Sequence, residues 1–155
     1  MAKYKLIEVI KTIENENTNE SQSLYDFDDK EQGITKLYND FGVAIKQNNV
    51  LSAYCILIDN TTGKTECNLH YPFTALVVAA DEWFIPPIRD RVYTHNDYAD
   101  DNISAYDNER LATGNFYTKI ASARNNPKCN FAIVIKINGI GDYGEESIYK
   151  FERNT

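Results

Sequence analysis

One arrangement of apolar and polar positions runs through residues 28–71 and then recurs between Asp107 and Phe151. Within the first copy, Ile34, Leu37, Tyr38, Phe41, Ala44 and Ile45 fall at the i, i+3, i+4, i+7 spacing that lines one face of a helix. The second copy answers in register. Tyr38-x-x-Phe41-Gly42-x-Ala44 matches Tyr117-x-x-Ile120-Ala121-x-Ala123, and Ile34 and Leu37 meet Thr113 and Phe116. Further along, Tyr54-Cys-Ile-Leu-Ile58 matches Phe131-Ala-Ile-Val-Ile135, and Glu66-x-x-Leu69 matches Glu145-x-x-Ile148. Tyr25-Asp26 and Tyr106-Asp107 stand just before the two helices. The length differences between copies fall in connections, where chains tolerate them.

Local signals bound each element. Asp28 precedes Glu31 and Asp29 precedes Gln32 by three residues, so either aspartate suits the cap of a helix over 28–47. Lys46 favours the helix end and Asn48-Asn49 stop it. The apolar run 53–58 has no polar alternation, which predicts a strand central in its sheet. Asp59-Asn-Thr-Thr-Gly63 is turn chemistry, and residues 66–71 return as its partner. Thr113 and Gly114 weaken the second helix.

The remaining stretches fit around this frame. Residues 3–13 are rich in β-branched side chains and read as a strand. Residues 14–23 are polar and unpatterned and read as a loop or hairpin tip, with a short strand at 23–27. Residues 74–84 are apolar, carry Asp81-Glu82-Trp83, and end at Pro86-Pro87. Residues 88–93 alternate as a strand, and 94–102 form another polar loop. The expectation is an α+β chain of tandem β-α-β-β repeats, with antiparallel sheets and one helix per repeat packed on one face. The first unit spans 1–73, a connector 74–87, and the second unit 88–155, all within one compact domain.

Charge narrows the function classes. Sixteen basic against 23 acidic side chains give −7, so nucleic acid is not expected as a direct ligand. No apolar run reaches the roughly 20 residues of a membrane span, and no signal peptide precedes the first strand. Three scattered cysteines, Cys55, Cys67 and Cys129, lack C-x-x-C spacing. They fit a reducing compartment and buried packing roles, and the expected location is cytoplasmic.

Several groupings invite chemistry. Gly139-Ile-Gly141-Asp-Tyr-Gly144 satisfies G-x-G-x-x-G, but a strand-like segment follows it where a dinucleotide site needs a helix. A glycine-rich hairpin turn accounts for it, and no cofactor is expected. His95, Asp97, Asp100 and Asp101 gather oxygen-rich ligands, and the three aspartates are the candidate metal set against a solvated acidic loop. Arg89, Arg91 and His95 are the candidate ligand-binding set, weighed against the wet side of a strand. His70-Tyr71 with Asp81-Glu82-Trp83 offers a base and a stacking ring, with nothing to fix their distances. No Ser/His/Asp or Cys/His catalytic motif is recognisable, so no catalytic residue is assigned.

Tyr25-Asp26, Asp29, Ile34, Phe41, Ala44, Cys55 and Gly63 give residues 23–71 a resemblance to short uncharacterised proteins encoded by bacteriophages and prophages of Gram-positive bacteria. Relatives of that kind carry a histidine on the helix and a tryptophan after the turn, where this chain has Tyr38 and Tyr71. The resemblance implies a mobile-element origin and supplies no activity. Three function classes follow. The first is a non-enzymatic interaction protein with a protein partner, including an acidic inhibitor of a host nucleic-acid-binding or defence enzyme. The second is a small-ligand binder or enzyme with a cleft between the repeats. The third is a homo-oligomeric assembly component, a homodimer among the forms considered.

Overall fold

The computed structural model describes residues 2–72, 90–98, 101–106, 108–137 and 146–153. In chain order the elements are β1 (Tyr4–Glu14), β2 (Asn17–Phe27), α1 (Lys30–Ile45), β3 (Val50–Asp59) and β4 (Thr65–Tyr71). Then come β5 (Asp90–Asn96), β6 (Asn102–Tyr106), α2 (Glu109–Asn125), β7 (Phe131–Ile137) and β8 (Glu146–Glu152). Each half is an antiparallel four-stranded sheet with one helix, in orders β2-β1-β3-β4 and β6-β5-β7-β8. The tandem β-α-β-β plan is therefore present, with a full hairpin in front of each helix. As the unbroken apolar run requires, β3 is interior to its sheet, and so is β7. Among the described residues, no helix is long and apolar enough to cross a membrane.

The first hairpin corrects one expectation. Polar residues 17–22 belong to β2, which pairs with β1 along its whole length. Asn15 and Glu16 both have positive φ, the twist that a two-residue hairpin turn needs. Hydrogen bonding to β1 makes this strand, and an edge position facing water removes any demand for apolar side chains. Residues 94–96 likewise continue β5 beyond the expected loop start. The connector 74–87, Arg89, Asp100, Asp107 and the glycine run 139–144 lie outside the described residues.

Capping selects one of the two expected aspartates: Glu31 N donates to Asp29 Oδ1 at 2.9 Å. At the second helix, Asn108 accepts from Leu111 N at 2.9 Å. The first core joins Leu6, Leu37, Phe41, Ile45, Cys55 and Leu57, each essentially inaccessible to water. Burying such side chains contributes roughly 1.5–3 kcal/mol each. The second core is built from Val92, Ala112, Phe116, Ile120 and Val134.

The helices then pack on each other. Tyr38 and Tyr117, equivalent in the two copies, stack with ring centroids 5.5 Å apart and planes 9° apart. Phe41 and Phe116 both meet the Tyr117 ring edge-on. Glycine lets the backbones touch: a Cβ on Gly42 would lie 2.6 Å from the Gly114 carbonyl oxygen. A Cβ on Gly114 would lie 2.8 Å from the oxygen of Gly42. Thr113 and Gly114, poor helix formers, are thus explained by position, because Thr113 also accepts from Lys136 Nζ at 3.0 Å. Gly42→Ala gains up to about 1 kcal/mol of helix propensity. The backbone oxygen cannot retreat freely, and overpacking of this kind costs about 1–3 kcal/mol. Urea unfolding of Gly42→Ala is expected to show a net loss of up to about 2 kcal/mol.

Candidate functional site

Strand alternation sorts the predicted site residues. On β5, Val92 joins the core under α2, so Arg91, Tyr93 and His95 project from the opposite, outer face of the second sheet. The ladder runs this face straight across four strands: Ile103 opposite Tyr93, Tyr93 opposite Ile135, and Ile135 opposite Ile148. Ile103 is 68% exposed and Ile148 56%. A sheet covered by a helix on one side ordinarily turns polar side chains to the other. Here the outer side carries an apolar row instead.

Polar groups border that row. Asp101 accepts from the Tyr93 hydroxyl at 2.7 Å and pairs with His95 Nδ1 at 2.5 Å. Hydrogen bonds from His95 and Tyr93 hold the Asp101 carboxyl below its ordinary value. The His95 ring also meets Phe131 edge-on at 5.8 Å. Asp97 does different work: its carboxylate accepts from the backbone N–H groups of Asn130 and Phe131 at 3.1–3.3 Å. His95 and Asp101 are brought together, while Asp97 ties down the approach to β7. Among the described residues, no group of three or more His, Cys, Asp or Glu is placed to hold a metal ion. Arg91 shares the outer face but adjoins a different row, opposite Ala105 and Ile137.

The first sheet repeats this feature in weaker form. Leu24, Ile7 and Ile56 stand opposite one another on the side away from α1, and Leu24 is 56% exposed. His70, on the edge strand β4, is exposed beside Tyr54.

A cleft of about 470 Å³ opens where the first turn of α1 meets the end of α2 and β8. Thr35, Arg124, Phe151 and Arg153 line it, with Glu31 and Glu152 at its mouth. All three nitrogens of the Arg124 guanidinium are engaged: Nε donates to Thr35 Oγ1 at 2.8 Å and Nη1 to the Tyr149 hydroxyl at 2.5 Å. Its Nη2 pairs with the Glu31 carboxylate. Arg153 donates to the carbonyl oxygens of Arg124, Asn126 and Cys129 and so caps the end of α2. Neither Arg91 nor His95 reaches this cleft. Arg124 fastens the two halves together, a role that isolated sequence spacing does not reveal.

Arg124 is 8% exposed and Glu31 64% exposed, so the ion pair itself is largely screened and the hydrogen bonds to Thr35 and Tyr149 matter more. Arg124→Met is expected to lower stability by about 2–3 kcal/mol in urea unfolding. Glu31→Gln is expected to cost less than about 1 kcal/mol. Compared with protein-family models, curated proteins and solved structures, the chain matches none.

Proposed function

We propose that this chain is a non-enzymatic protein-interaction module whose second sheet docks a partner chain on its outer face. The observation that carries this reading is the apolar row from Ile103 through Tyr93 and Ile135 to Ile148, exposed at both ends. Contiguous apolar surface on a folded protein marks contact sites, and aromatic rings with a polar rim are common in them. Tyr93, His95 and Asp101 supply such a rim.

The resemblance of residues 23–71 to phage proteins supports a host protein as partner. A surplus of seven acidic charges favours one with a basic surface, such as a nucleic-acid-binding or defence enzyme that the chain inhibits. A second reading, self-assembly, is favoured by β2, an eleven-residue edge strand exposed along most of its length.

Paired substitution Ile103→Lys/Ile148→Lys tests the docking reading, because both side chains are exposed in the free protein. Capture from the native host, followed by mass spectrometry, is expected to lose the partner while circular dichroism stays unchanged. Retention of the same partner by the double variant overturns the assignment of this face. Light scattering across a concentration series addresses the second reading: a dimer that persists in the double variant and disappears on Gln22→Pro assigns assembly to β2.

A further inference from the structure

On β1 the core-facing positions are Leu6, Glu8 and Ile10, so a carboxyl group occupies a place that its neighbours fill with hydrocarbon. Glu8 is 4% exposed. Across the sheet it stands between Ser23 of β2 and Cys55 of β3, whose thiol donates to Glu8 Oε2 at 3.9 Å. From α1 it faces Asp40, its hydrogen-bonding partner, and Lys36, which pairs with Asp40 at 3.0 Å. The Lys36 ammonium also sits 4.3 Å from the centre of the Tyr25 ring on β2. One cation thus faces two carboxyl groups at a helix–sheet interface. Two ionised carboxylates in so little water repel, and a proton kept on Glu8 removes the conflict.

The second half shows that the fold does not require this grouping. In the register that equates Tyr38 with Tyr117, Lys36 and Asp40 correspond to Asn115 and Lys119. Pairing through Cys55 and Ala132 sets Asn96 in the place of Glu8. The same helix lies on the same sheet there without either carboxyl.

We propose that the buried Glu8 carboxyl keeps its proton where it faces Asp40 and Lys36 across the α1–β1 interface, and that loss of this proton loosens α1 from the first sheet: a proton-operated latch confined to one half. The proton leaves the Glu8 carboxyl for solvent base, and no bond between heavy atoms changes. Burial, followed by the hydrogen bond and charge of Asp40, pushes Glu8 from about 4.5 up to about 8. The folded state therefore holds a proton that the unfolded state has released. The stabilisation is complete below the ordinary value and is lost as pH rises through about 8.

The test uses the whole chain. Carbon-13 NMR of the Glu8 carboxyl is expected to titrate near 8, and titration near 4.5 overturns the proposal. Linkage to one proton changes the unfolding equilibrium by up to about tenfold per pH unit. The urea midpoint of the natural chain should therefore fall as pH rises from about 5 to about 9. In Glu8→Gln most of this fall should vanish; an unchanged slope overturns the latch. Hydrogen exchange supplies the readout that a purely structural role would not move. On raising pH, α1 amides should lose protection relative to α2, after correction for intrinsic exchange. Equal loss in both helices overturns the confinement to the first half, and the NMR titration decides the matter should Glu8→Gln fail to fold.

Discussion

The antiparallel contact of α1 and α2 is the interaction on which the rest of the structure depends. A four-stranded sheet with one helix leaves that helix with two faces to cover, and its own sheet covers only one. Tyr38 on Tyr117 and Gly42 against Gly114 cover the other. The stack adds roughly 0.5–1.5 kcal/mol beyond its buried area. Burial raises the phenols of both Tyr38 and Tyr117 above the ordinary tyrosine value, Tyr38 strongly, so both stay neutral within the interface. Arginines secure both ends. Arg110 Nη1 donates to the Ile45 carbonyl at 2.7 Å, and Arg124 holds Thr35 and Glu31 at the other end.

With the helices occupied on both faces, the outer sides of the sheets are what the described structure turns outward. The apolar surface that remains uncovered therefore lies along Ile103, Tyr93, Ile135 and Ile148, away from the cleft at the helix ends. The cleft has volume and cations, but Arg124 and Arg153 direct their donors into the fold. On the outer sheet face the polarity is reversed: the apolar groups are exposed, and the polar ones satisfy each other at the border.

Much of this plan was legible in the sequence because burial writes itself as periodicity. The α1 face, the interior place of β3 and the Asp59–Gly63 turn all follow from side-chain spacing and turn chemistry. The polar strand β2 was not legible, since an edge strand in water needs only a hydrogen-bonding neighbour. The division of labour between Asp97 and Asp101 was hidden too. Both lie in one acidic stretch, and only the fold aims one at backbone N–H groups and the other at His95. Glu8 did leave a trace: it alternates with Leu6 and Ile10, so its carboxyl falls on the core side. The trace gains meaning only when Asp40 is brought opposite from a distant part of the chain.

The two ends of the helix pair carry a further consequence. Seven residues before Tyr38 and Tyr117 stand Glu31 and Arg110, and seven after stand Ile45 and Arg124. Glu31 meets Arg124 and Ile45 meets Arg110, so each contact has a mate with the copies exchanged. That reciprocity is the signature of an isologous interface, in which one patch recognises itself through a two-fold rotation. The halves of this single chain meet in the geometry of a closed dimer. Yet both arginines come from the second half and both of their partners from the first, so two copies of the second half alone would set Arg110 against Arg124.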